Sequence, residues 1–233
     1  MKVALIAPKN LLELSTLGDI HFVVPQNCDI SFFRKETKYK MLDNGSYETG
    51  KSLDIEALIE LAKSISANEI VLPDKIRDME QTVELTLEAI SYKRRWLKLA
   101  AVPQGHNPST FVECYRLFSK IDEIDVLCFP VWLEKAFHAR PHVVHYILKK
   151  GFWAENKEHH LIGLDRLSEL LCYPYGMIRS VDTSLPFSAA KKTFYLSTLG
   201  VFSGKRVNLS GDNVDLSCLK FNVKKLKEIA LLV

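Results

Sequence analysis

Eight short apolar runs, set between longer stretches of helical periodicity, constrain this chain more than any other feature. The runs are Val3–Ala7, His21–Val24, Tyr39–Leu42, Glu69–Leu72, Leu99–Val102, Val126–Phe129, His160–Gly163 and Ile178–Val181. Most are continuous rather than alternating, as befits parallel strands covered on both faces. Parallel neighbours need a crossover of a dozen or more residues, usually a helix. The alternation therefore predicts an α/β class. Eight strand–helix units are the number that closes a TIM, or (β/α)8, barrel, a fold that runs from ~200 residues upward. The chain has 233, so one barrel domain accounts for residues 1–233. A doubly wound open sheet shares the alternation, but no glycine-rich phosphate turn follows the first run.

The segments between runs carry helix signals. Leu58, Ile59, Leu61, Ala62 and Ile65 recur at helical spacing behind Asp54, a capping residue. From Met79 to Trp96 the pattern puts Val83, Leu87, Ile90 and Arg94 on one face. Asn107-Pro108 and Arg140-Pro141 place proline where a first helical turn begins. Asp165 stands where it would cap a helix over Arg166–Leu171. Ser197–Asn222 reads as irregular, and Val223–Leu232 as an amphipathic helix packed on the outside of the barrel.

Composition excludes little. A hydrophobic share of 47% supports a sizeable core, and a net charge of +3 is too small to demand a polyanionic partner. No apolar stretch reaches the ~18 residues of a membrane span, and the opening residues read as a strand rather than a leader. Five scattered cysteines, none in a CxxC pair, predict reduced thiols and a cytoplasmic setting, that of a host cell if the protein is viral. Oligomeric state stays open, a homo-oligomer included.

The polar residues are informative by position. Asp43, Asp74, Gln104 and Asp182 each end or closely follow an apolar run, and Glu134 lies shortly after another. In a barrel the strand C-termini converge on one mouth, where catalytic groups gather. Carboxylates held there are partly desolvated and tuned by like-charged neighbours, which suits nucleophile and base roles. The competing reading is that each Asp only caps the next helix.

In order along the chain these motifs resemble the tRNA-guanine transglycosylase superfamily, and within it the short phage-type enzymes that place 7-deazaguanines in DNA. Leu42-Asp43-Asn44-Gly45-Ser46-Tyr47-Glu48 is similar to the family's Asp-Ser-Gly-Gly-Phe-Gln. Val102-Pro103-Gln104-Gly105 resembles Val-Gln-Gly-Gly, and His160-Leu161-Ile162-Gly163-Leu164 resembles Tyr-Leu-Met-Gly-Val. Phe129-Pro130-Val131-Trp132-Leu133-Glu134 stands in place of Gly-Gly-Leu-Ala-Val-Gly-Glu, and Val181-Asp182-Thr183-Ser184-Leu185-Pro186 resembles Phe-Asp-Cys-Val-Leu-Pro.

The resemblance implies Asp182 as covalent nucleophile and Asp43 as base. It implies Asp74, Gln104, Gly105, Tyr47, Glu134 and the backbone at Phe129 and Val131 as the base-binding set. The family's CxCxxC zinc cluster is missing, so neither a zinc subdomain nor any metal or cofactor is expected, and the departure favours DNA over tRNA as partner of the free deazaguanine base. Lys191, Lys192, Lys205 and Arg206 follow the last run and are the candidate phosphate contacts. Alternatives are a tRNA enzyme, an N-glycosidic-bond hydrolase, a non-catalytic nucleic-acid-binding barrel and a barrel enzyme acting on a phosphorylated metabolite. His138, His142 and His145 read as surface histidines rather than a metal site, and His159-His160 as structural residues at the strand end away from catalysis. Trp132 is the one tryptophan placed for base stacking.

Overall fold

A computed structural model describes residues 1–197 and 214–233. Eight parallel strands close in sequence order into a barrel. They are β1 (Lys2–Leu5), β2 (Ile20–Val23), β3 (Lys40–Leu42), β4 (Glu69–Val71), β5 (Lys98–Ala101), β6 (Val126–Pro130), β7 (Glu158–Ile162) and β8 (Ser180–Thr183). Each begins and ends within two residues of its expected run, β7 earlier and β8 later than expected.

Around them lie α1 (Ile30–Lys35), α2 (Ser46–Thr49), α3 (Ile55–Ile65), α4 (Met79–Ile90), α5 (Pro108–Phe118), α6 (Trp132–Phe137), α7 (Arg140–Lys149), α8 (Leu185–Ala190) and α9 (Leu216–Ala230). Single 3-10 segments occupy Lys9–Leu17 after β1 and Leu167–Cys172 after β7. No helix among the described residues is long and apolar enough to cross a membrane. All five cysteines are free thiols.

Side chains alternate across each strand, as the pleat requires. Ala4, Phe22, Met41, Val71, Ala100, Val126 and Cys128 fill the barrel interior. Val3, Leu5, Leu42, Ile70, Leu127 and Phe129 face the helices and join a second, larger core. The interior is thus a packed column, with a cavity at the strand C-termini.

The helix starts follow from their caps. Asp54 accepts from the Ala57 amide at α3, and Asn107 and Thr110 form a reciprocal capping box at α5. Three expectations are corrected. Helix α4 stops at Ile90, and its buried face is Thr82, Thr86 and Ala89, leaving Leu87 exposed; polar threonines on the inner face hide the true phase. Asp165 caps nothing: it pairs with Lys135 at 3.2 Å, and a 3-10 segment starts at Leu167. The C-terminal helix begins at Leu216 rather than Val223, because Asp215 accepts from the Ser217 and Cys218 amides and Cys218, Leu219 and Asn222 are buried. So residues 216–222 of the stretch expected to be irregular are helical; 198–213 lie outside the described residues.

Candidate active site

A cavity of about 620 Å3 opens where the strands end, within the ~300–1,000 Å3 usual for small-molecule sites. Asp43, Tyr47, Asp74, Gln104, Val131 and Asp182 all line it. Residues spread over 140 positions of sequence reach one wall because parallel strands deliver their C-terminal ends to one mouth.

Asp182 sits within β8, pointing inward, and is only 1% exposed. Its Oδ1 accepts from His160 Nε2 at 2.9 Å and from the Gly163 amide at 3.0 Å. Its Oδ2 has no hydrogen-bond partner among the described residues, so one carboxylate oxygen is held and the other is left for a ligand. Gly163 can present its amide there because its φ is +74°, and a Cβ on it would lie 3.0 Å from Val131 Cγ1. The Gly163 carbonyl is gripped from behind by Arg140 Nη2 at 2.8 Å. Arg140, fully buried, also donates to the carbonyls of Phe129 and Ile162 at 3.0 Å and pairs with Glu169 at 2.6 Å. It thereby ties the ends of β6 and β7 to the floor of the cavity.

Asp43 follows β3. Burial pushes its carboxyl well above the ordinary value of 3.8, and the nearby charges of Glu48, Asp182 and Asp74 add to the rise; the Gly45 amide, 3.2 Å from Oδ2, opposes it. Burial and like charge thus act together to favour the neutral form of Asp43.

Asp74 and Gln104 are locked to one another. Gln104 Nε2 donates to Asp74 Oδ2 at 2.5 Å. Gln104 Oε1 accepts from Trp132 Nε1 at 2.7 Å and from the Arg77 amide at 3.0 Å. Both of those partners are obligate donors, which fixes the amide orientation. Asp74 Oδ1 accepts from Asn44 Nδ2 and Ser46 Oγ at 2.9 and 2.8 Å. Burial raises the Asp74 carboxyl, and these three donors hold it back. One hydrogen on Gln104 Nε2 and one lone-pair site on Asp74 have no partner among the described residues, and both residues line the cavity.

Tyr47 stands at the rim, 48% exposed, with Lys135 Nζ 3.3 Å from its hydroxyl. Lys135 also pairs with Asp165 across the mouth.

Several expected site residues lie elsewhere. Phe129 points outward by the two-residue alternation of β6 and stacks on Tyr115 and Trp153; its carbonyl is taken by Arg140. The Val131 amide donates to Ile162 O at 2.9 Å, so only its side chain reaches the cavity. Glu134 is buried on α6, where helical phase turns it toward Arg166, with which it pairs; it is not on the wall. Gly105 serves packing: a Cβ there would lie 2.5 Å from the Phe111 amide nitrogen of α5. Lys191 and Lys192 follow α8 on the surface, while Lys205 and Arg206 lie outside the described residues.

Trp132 lines the cavity but also acts as the donor that orients Gln104. The structure departs most from the sequence reading at His160. It sits inside the barrel with Nε2 2.9 Å from Asp182 Oδ1, not at the strand end, while its neighbour His159 meets the Tyr115 hydroxyl at 2.9 Å and stacks on Trp153. Burial lowers His159 to about 3, so it stays neutral.

Among the described residues, no group of three or more His, Cys, Asp or Glu side chains is arranged to hold a metal ion. His142 and His145 are exposed on α7, and His145 Nε2 meets the Cys172 carbonyl at 2.8 Å. No protein-family model matches the chain, and no curated protein is significantly similar to it.

Proposed function

We propose that this barrel is a base-exchange glycosyltransferase that replaces guanine in nucleic acid, DNA in preference to tRNA, by a free 7-deazaguanine. The observation that carries the reading is the sharing of one cavity by a tethered aspartate with one open oxygen, Asp182, and a second aspartate whose carboxyl burial raises, Asp43. Two carboxyl groups in different surroundings, one tethered by a histidine and an amide and the other raised by burial, are a usual arrangement for paired nucleophile and acid–base roles.

In this scheme Asp182 Oδ2 attacks C1′ of the target nucleotide through an oxocarbenium-like transition state, as retaining glycosidases do. The C1′–N9 bond breaks, and Asp43 gives its proton to the departing guanine. The incoming deazaguanine then loses its N9 proton to the Asp43 carboxylate. N9 forms the new bond to C1′ as the ester to Asp182 breaks, and Asp43 is again protonated. The open Gln104 donor and Asp74 acceptor stand side by side, matching the carbonyl and ring N–H of a guanine-type edge. Tyr47 at the rim offers a stacking face. A duplex substrate must first turn its nucleotide out of the stack.

The test is incorporation of labelled guanine into DNA and into tRNA. The Asp182→Asn variant is expected to lower exchange by roughly 10⁴-fold or more, the scale of losing a nucleophile. Undiminished exchange removes Asp182 from that role. Release of guanine from nucleic acid without incorporation points to hydrolysis instead.

A further inference from the structure

We infer that His160 is a positioning residue for Asp182, holding Oδ1 so that Oδ2 alone faces the reacting carbon; the inference rests on Asp182 being the nucleophile. His160 belongs to β7 and pairs in register with Ser180 of β8. The two-residue alternation then places His160, Ser180 and Asp182 together inside the barrel.

The hydrogen bonds run in one direction. Arg179 Nε donates to Ser180 Oγ at 3.1 Å, Ser180 Oγ meets His160 Nδ1 at 2.8 Å, and His160 Nε2 meets Asp182 Oδ1 at 2.9 Å. The Asp182 oxygen, which already accepts the Gly163 amide, can only accept, so Nε2 carries a hydrogen. In the neutral ring Nδ1 is then the acceptor, and the Ser180 hydroxyl supplies the proton it needs.

The ring cannot swing away. His160 is fully buried and stacks on Phe22, with centroids 6.0 Å apart and planes 11° from parallel. Arg179 is itself anchored at the barrel base by Glu69 and Glu158, both at 2.8 Å. A single polar column thus runs from the base of the barrel to the nucleophile. It contains the residue types of a hydrolase triad, but Ser180 is fully buried and off the cavity wall. Its hydroxyl therefore orients the ring rather than attacking substrate.

Two measurements on the full chain test this. The first is the imidazole nitrogen spectrum of protein labelled with 15N-histidine, with His160 assigned by its loss in His160→Gln. The Nε2–H tautomer is expected; an Nδ1–H tautomer overturns the inference. The second is the labelled-guanine exchange assay.

His160→Phe keeps the stacked ring and loses the donor. It is expected to lower kcat by roughly 10–100-fold, the scale for a group that orients a reacting side chain, with KM for guanine nearly unchanged. His160→Gln, which returns a donor near the Nε2 position, is expected to recover most of that loss. Equal impairment of both variants at unchanged melting temperature, or a change confined to KM, overturns the positioning role. If the wild-type chain exchanges no base at all, the glycosyl-exchange reading falls, and the tautomer still decides whether His160 holds Asp182.

Discussion

Replacing Asp43 by Asn is expected to make the protein more stable at neutral pH while removing its activity. Asp43 is 8% exposed, has a single amide donor and lies among the charges of Glu48, Asp182 and Asp74. Its carboxyl is accordingly raised well above 3.8 in the folded chain, whereas the unfolded chain ionises it near the ordinary value.

Between those two values the native state binds the extra proton, so stability falls as pH rises. The loss begins near pH 4 and is complete above the raised native value. Asn carries no such penalty and can still accept the Gly45 amide. Each tenfold weakening of the acid corresponds to about 1.4 kcal/mol, which for a chain of this length moves the melting midpoint by roughly 3–6 °C. Thermal denaturation of both proteins from pH 3.5 to 8 is the assay. The two midpoints should converge at the acid end and separate as pH rises, with Asp43→Asn higher. An Asn variant that is less stable than wild type by the same amount at every pH refutes the argument. The activity arm is a fall in guanine exchange of about 10²–10⁴-fold, the worth of a positioned acid–base group.

Trp132→Phe removes the Nε1 donor from Gln104 while keeping an aromatic ring between Phe111 and Phe137; the expected effect is about 1 kcal/mol, read as a roughly fivefold rise in KM for guanine with kcat held. A fall in kcat with KM unchanged would contradict an orienting role through Gln104. Gly105→Ala drives a Cβ against the backbone of α5 and is expected to cost about 1–3 kcal/mol, measured by chemical denaturation; full wild-type stability would show that α5 yields without strain.

The barrel was legible because its strands are buried on both faces, so each declares itself as an uninterrupted apolar run whatever its partners. The mouth was legible for a related reason. A polar residue at or just beyond the C-terminal end of a parallel strand has one place to project, which brought Asp43, Asp74, Gln104 and Asp182 to a common cavity. That rule weakens with distance from the strand. Glu134 stands in the first turn of α6, where helical phase rather than the pleat sets direction, and it faces Arg166.

Phe129 was expected to offer its backbone to a base, but its carbonyl is taken by Arg140 from 11 positions further along, a contact that no local pattern carries. His160 was hidden more deeply. It and Asp182 are 22 positions apart and meet only through the register of β7 on β8, which no local pattern carries. Arg140 was read solely as the start of α7, yet its guanidinium spans three carbonyls at the ends of two strands.

Counting valences sharpens what the cavity can accept. Most polar groups on its wall are spent on one another: Gln104 Oε1 has two donors, Asp74 has three, and Asp182 Oδ1 has two. Within the set Asp43, Asp74, Gln104 and Asp182, what remains is one Gln104 hydrogen, one Asp74 acceptor site, the Asp43 carboxyl and Asp182 Oδ2. A ligand that satisfies this remainder must offer an acceptor beside a donor along one edge, and a basic or acidic ring nitrogen toward Asp43. It must also bring an electrophilic carbon to Asp182. A guanine-type nucleoside offers all of these at once. An adenine-type edge presents an amino donor to the Gln104 hydrogen and leaves Asp74 facing an unprotonated ring nitrogen, so two buried groups would lose their partners together. On the proposed function, discrimination on the order of 10⁴-fold between the two bases is the expected outcome. Exchange of labelled adenine within tenfold of guanine would mean that Asp74 and Gln104 read nothing, and that their mutual bond is structural.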